Sequence, residues 1–203
     1  VSKNVAELIR KEILFGFGLG ASLIALFASF SSGHAIPSES GLTAGLLHPL
    51  LGIDHLLAMV AVGILSVRKG RVDWLIPIAF VSFMVLGGAF GIYGFKIPGV
   101  EYGIALSVLL LGFAVASSIK FSTQISMAFI SLFALLHGHA HGYETPLMAN
   151  SAYYLAGIVL ATVILHVFGV LIARHAQTDF TTKLLKFSGA AMGFFGLFLL
   201  FSI

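Results

Sequence analysis

The stretch Leu42-Thr-Ala-Gly-Leu-Leu-His48-Pro49-Leu-Leu-Gly52-Ile-Asp54-His55-Leu-Leu-Ala-Met59-Val-Ala-Val-Gly63-Ile-Leu-Ser-Val67 carries two imidazoles and a carboxylate inside an otherwise largely apolar run. About 20 mostly apolar residues suffice for a helix to cross a bilayer, so this stretch reads as a spanning segment. A charged side chain at the bilayer centre costs roughly 2.5 to 3.5 kcal/mol on insertion scales. Ionisable groups kept at such a cost usually line a pathway or a site. His and Asp are also metal-ligand types. His48, Asp54 and His55 are therefore the first candidate residues.

The rest of the chain agrees with the membrane reading. Of its 203 residues 59% are hydrophobic and 9% charged, and the mean hydropathy is +1.06. A soluble domain carries about 25% charged residues. The apolar runs are continuous rather than alternating, which selects helices over a barrel. The fold class expected is all-α, a polytopic transmembrane helix bundle in contact with membrane lipid. There is no cysteine, so disulfides, thiolate metal sites and cysteine nucleophiles are excluded. The net charge of +3 is small and no basic tract points to nucleic acid.

Seven segments are long and apolar enough, or nearly so: about 13–31, 42–67, 74–95, 101–119, 123–142, 147–173 and 183–203. The connections are short, so sequential neighbours are expected to pack side by side. The first segment has a basic start, an apolar run and a Ser-Ser-Gly-His-Ala stretch at 31–35. That is the layout of a secretory signal; a retained seventh helix is the alternative. We divide the chain into this segment, 1–35, and a six-helix domain, 36–203. Ten of the eleven Lys and Arg, all but Lys96, fall on the side where the N-terminus lies. The positive-inside rule makes that side the cytoplasm and places the C-terminus outside. Small residues recur four apart in Gly16/Gly20, Gly41/Gly45, Gly87/Gly91, Gly138/Gly142 and Gly189/Gly193. Such pairs let helices approach closely; a homo-oligomer is a weaker reading of them.

On one straight helix over 42–67, His55 and Met59 each fall within about 20° of His48, while Asp54 points about 120° away. His48, His55 and Met59 then form one stripe. Asp54 either joins a metal site through a distortion or orients an imidazole from another helix. Pro49 favours distortion, since it cannot donate to the carbonyl of Gly45 and kinks the turn. A helix starting near Pro49 is the alternative.

A second constellation is His137-Gly-His139-Ala-His141-Gly-Tyr-Glu144, at the outer end of the 123–142 segment. His137 and His141 stand at i and i+4, a spacing that clamps one metal. Glu144 shares their face and His139 lies roughly opposite. The bland reading of such residues is a polar helix end, or a His and an Asp that satisfy each other. Three alternate histidines are hard to obtain from polarity alone. Segment two enters and segment five leaves on the outer side, so a joint site can form. The roles of His34 and His166 stay open.

The stretch Gly45 to Gly63, with His48-Pro49-Leu-Leu-Gly52-Ile-Asp54-His55, resembles the signature of the HupE/UreJ family. The stretch His137-Gly138 to His141-Gly142-Tyr-Glu144 looks like that family's second motif. The likeness runs through the chain from about residue 34. These are small permeases associated with hydrogenase and urease maturation. The resemblance implies nickel uptake, with cobalt the alternative, through a bacterial inner membrane. It carries over His48, Asp54, His55, His137, His141 and Glu144 as metal-site candidates, to which the spacing adds His139 and Met59. No resident cofactor is expected, because the divalent metal ion is the cargo. Imidazole ligands suit Ni2+, Co2+, Zn2+, Cu2+ and Fe2+ alike. An intramembrane zinc-dependent hydrolase is the competing class, because a catalytic zinc takes three protein ligands and an open position.

Overall fold

A computed structural model describes residues 41–203 apart from Ser118, Lys120 and Met148. The 1–35 segment, with His34, lies outside the described residues. The described chain is an all-α bundle. Its helices are α1 (Gly41–Leu51), α2 (Ile53–Ser66), α3 (Leu75–Ile92), α4 (Val100–Ser117), α5 (Thr123–Tyr143), α6 (Ser151–His175) and α7 (Asp179–Ser202).

Helices α3, α4, α6 and α7 are each long and apolar enough to cross a membrane. The protein is an integral membrane protein, and its surface agrees. Phe187, Phe194, Phe198 and Phe201 of α7 all stand exposed, as side chains facing lipid do. Trp74, Tyr93, Tyr102, Tyr143 and Tyr153 are exposed at helix ends, where interfacial aromatics collect.

The sequence led us to expect one spanning segment over 42–67, kinked at Pro49 or helical only from there. The structure breaks it: α1 and α2 meet at an angle of 81°. Gly52, between them, has extended backbone at φ −81° and ψ 105°. The break leaves few polar groups stranded, because Gly52 N donates to His48 O (3.1 Å) and Leu56 N to Gly52 O (2.9 Å). Pro49 sits inside α1 and does not begin a helix. The segment read at 123–142 is α5, a helix of 21 residues, but it falls short of the apolarity of the other spans because its last turns are rich in histidine. Every residue from His137 to Gly142 is buried. Protein, not lipid, surrounds that end, which is how polar groups persist at membrane depth.

Sequential neighbours are not the principal packing partners. α3 packs most closely on α5, α4 on α7, and both α1 and α2 on α6. Glycine decides these pairings. A Cβ built on Gly138 would run into the backbone carbonyl of Met84, and one on Gly142 into that of Gly88. The same holds for Gly45 against Tyr154, Gly63 against His166 and Gly169 against Val60 on the α6 side, while a Cβ on Gly112 would meet the backbone nitrogen of Gly193 between α4 and α7. Backbones in contact gain dispersion that bulkier residues would forbid, and lipid offers no competing hydrophobic drive. Short connections fix only which ends are near.

A two-stranded hairpin, β1 (Val67–Arg68) and β2 (Arg71–Val72), closes the C-terminal end of α2. Its two-residue turn uses Lys69 at φ 48° and Gly70 at φ 76°, the positive pair a tight hairpin requires. Arg68 donates to Ser126 Oγ (2.6 Å) and to Phe121 O. Thr123 Oγ1 donates to Asp73 Oδ2 (2.6 Å). The hairpin is thereby fastened to the start of α5, whose N-cap Ser122 Oγ accepts from Ile125 N.

Candidate metal centre

Three imidazoles converge where the α1–α2 break meets the C-terminal end of α5. One ligand nitrogen from each of His48, His55 and His141 lies within 4.8 Å of the other two. The ring centroids are 4.4 Å apart for His55–His141, 4.9 Å for His48–His141 and 5.9 Å for His48–His55. An ion at about 2.1 Å from each nitrogen leaves them roughly 3 to 3.5 Å apart. Small side-chain rotations close that gap.

The break at Gly52 aims the first two rings. His48 lies in the last turn of α1 and His55 in the first turn of α2, so the bend turns two positions on one sequence stretch toward one point. Asp54 then fixes His55. Its Oδ1 accepts from His55 N (2.9 Å) and from His55 Nδ1 (2.8 Å). An ionised carboxylate only accepts, so the ring proton is on Nδ1 and the Nε2 lone pair is free. That Nε2 is buried and has no hydrogen-bond partner. A carboxylate holding the far nitrogen of a ligand histidine is a recurrent feature of metal sites. The sequence geometry left Asp54 either in the metal site through a distortion or turned toward an imidazole on another helix. The break places it instead in the first turn of α2, beside its own neighbour.

His141 is fully buried and neither of its ring nitrogens has a hydrogen-bond partner. His48 Nε2 lies 3.2 Å from Glu144 Oε2. Glu144 caps the C-terminus of α5, and the hydrogen bond with His48 holds its carboxyl below the usual carboxylate range. His137 stacks edge-on to His55 at 4.9 Å, one turn below His141. Ser107 Oγ donates to Ile104 O (2.7 Å), so His137 Nε2 is the donor in its 2.9 Å bond with Ser107 Oγ. His137 Nδ1 is then a free acceptor, buried without a partner.

Two candidates lie elsewhere. His139 faces away: its Nε2 donates to Phe95 O and its ring stacks on Tyr143. The structure does not bring it to the cluster. Met59 is fully buried in the hydrophobic core, with Thr162 Oγ1 3.3 Å from its Sδ. The straight-helix stripe of His48, His55 and Met59 therefore does not exist as one face. Sequence reasoning missed two residues that touch the site. Tyr154 of α6 lies 6.0 Å from the His48 ring and buries a hydroxyl without a partner. Ser107 of α4 orients His137. The signal for both was a polar atom in an apolar helix.

The family model described as HupE / UreJ protein matches residues 21–199. A curated relative, Protein HupE of Rhizobium leguminosarum bv. viciae, is 46% identical over 143 residues, covering 70% of this chain and 75% of that protein. No solved structure matches.

Proposed function

Because this chain belongs to the HupE/UreJ family, we propose that it is a permease for a divalent transition-metal ion. Ni2+ is the first candidate and Co2+ the second, moving into the cytoplasm. The observation that supports this reading is the buried meeting of His48, His55 and His141, with Asp54 fixing the tautomer of His55. Neutral imidazoles in this number suit a borderline divalent ion and give no grip on Mg2+ or Ca2+, which take oxygen ligands. Glu144, ionised and at the outer helix end, attracts the cation and hands it to His48, its partner. His137 offers one more free nitrogen a turn below. An inward membrane potential of 100 mV contributes about 4.6 kcal/mol to a divalent cation.

The same reading places residues 36–203 as the permease domain of a bacterial inner-membrane protein, with the C-terminus outside. It links the chain indirectly to hydrogenase or urease maturation, as the supplier of their metal. The test is uptake by proteoliposomes from a panel of Ni2+, Co2+, Zn2+ and Mn2+. The chain should accumulate Ni2+, and the folded H48A and H141A variants should not. Undiminished accumulation in either variant would overturn the proposal. A zinc-dependent hydrolase has one observation in its favour, that three imidazoles are the ligand number of a catalytic zinc. Metal-dependent cleavage of a membrane-embedded peptide by vesicles that accumulate no metal would decide for it.

A further inference from the structure

Below the histidine cluster lies a second group of donors that the uptake site does not use. His166 of α6 is 3% exposed; the Thr162 backbone carbonyl one turn before it is within reach of one ring nitrogen, which leaves the other buried without a partner. One turn away on the same helix, Thr162 is fully buried. Its hydroxyl lies 3.3 Å from Met59 Sδ and 3.4 Å from Met84 Sδ. A hydroxyl carries one proton and donates to one sulfur at a time. Two thioethers and an oxygen thus meet at one buried point with more lone pairs than protons.

The helices bring this group and His166 together. Met59 stands one turn before Gly63 on α2, and a Cβ on Gly63 would run into the His166 carbonyl. Met84 stands one turn after Phe80 on α3, and the Phe80 ring lies 4.9 Å from His166. The Phe80 ring also neighbours His137, at 6.1 Å. One aromatic ring is therefore shared by the lowest histidine of the cluster and His166. A buried imidazole nitrogen left unpaired is costly, and a metal ion satisfies its lone pair.

We infer that His166, with the thioethers of Met59 and Met84 and the hydroxyl of Thr162, forms an inner station for the transported ion, reached from His137 past the Phe80 ring. The inference rests on the permease reading and adds to it a discriminating step. Imidazole with thioether accepts borderline and soft ions such as Ni2+ and rejects hard ones such as Mn2+. The outer cluster, all imidazole and carboxylate, lacks that soft component.

The test uses the full chain, purified in detergent, loaded with Ni2+ and desalted. Bound nickel is counted per chain, and its ligand atoms are read by X-ray absorption at the nickel edge. Two ions per chain are expected, one with sulfur in its coordination shell. H166Q should lose the sulfur-ligated ion and at least tenfold in uptake rate. The double variant M59L/M84L, which conserves volume, should keep its fold and lose the sulfur signal, so a poorly folded H166Q leaves the question answerable. H48A should lose the other ion and keep the sulfur-ligated one. A single ion without sulfur, removed by H48A and untouched by H166Q, overturns the inner station and leaves the outer site standing. An ion that survives H48A without sulfur overturns both.

Discussion

Asp54 and His55 are consecutive residues whose side chains bond to each other at 2.8 Å, so the carboxylate determines which nitrogen of the ring is free. D54N removes the charge that keeps the proton on Nδ1. We expect Ni2+ affinity to fall by about 10 to 100 fold, the usual loss when the partner of a ligand histidine is removed. Titration calorimetry on the purified chain measures this. Affinity equal to that of the unaltered protein would mean the pair only caps the helix.

His139 and His141 are two residues apart and should differ sharply. H141A removes a fully buried cluster ring and should abolish uptake. H139A removes the bond to Phe95 O, worth about 0.5 to 1.5 kcal/mol, and should lower the melting temperature while sparing most uptake. Parallel uptake and thermal-unfolding measurements check the pair. Equal loss of uptake in both variants contradicts the geometry.

Acid should inhibit. A protonated ring cannot ligate a metal ion. Uptake measured from about pH 7 to about pH 5 should therefore decline toward the acid end. Glu144 does not cause that decline. Its carboxyl is lowered by His48, so its contribution is present above the ordinary carboxylate value and is lost only as pH falls through the lowered one. E144Q should reduce uptake at every pH in this window and leave the acid limb where it was. A limb that shifts in E144Q would assign it to the carboxylate.

The glycine seams should be unforgiving. A methyl group on Gly138 has the Met84 backbone, not a movable side chain, in its way. Overpacking typically costs about 1 to 3 kcal/mol, occasionally more. G138A should lower the yield of folded protein and its melting temperature in detergent. Alanine at Gly103, which would meet the flexible end of Leu136, should be milder. Equal behaviour of the two would mean that the seam is looser than it looks.

The sequence carried the helices well because hydropathy reports burial in lipid directly. The segment read at 101–119 is Val100–Ser117, and that read at 74–95 is Leu75–Ile92. It carried His48, His55 and His141 because each is costly where it stands. It did not carry the bend at Gly52. Pro49 announced a distortion three residues early, yet the chain turns where glycine allows extended backbone. Nor did it carry the order of packing. The glycine pairs were visible, but which seam meets which depends on contacts between residues as far apart as Gly112 and Gly193. Ser107 and Tyr154 escaped because a single hydroxyl in a helix has many uses.

The seams also divide the site. His48 and His55 ride on helices fastened to α6, while His137 and His141 ride on a helix fastened to α3. The imidazoles thus come from helices belonging to two different close pairings. An ion bonded to His48, His55 and His141 together would be a clasp across the line where those pairings meet.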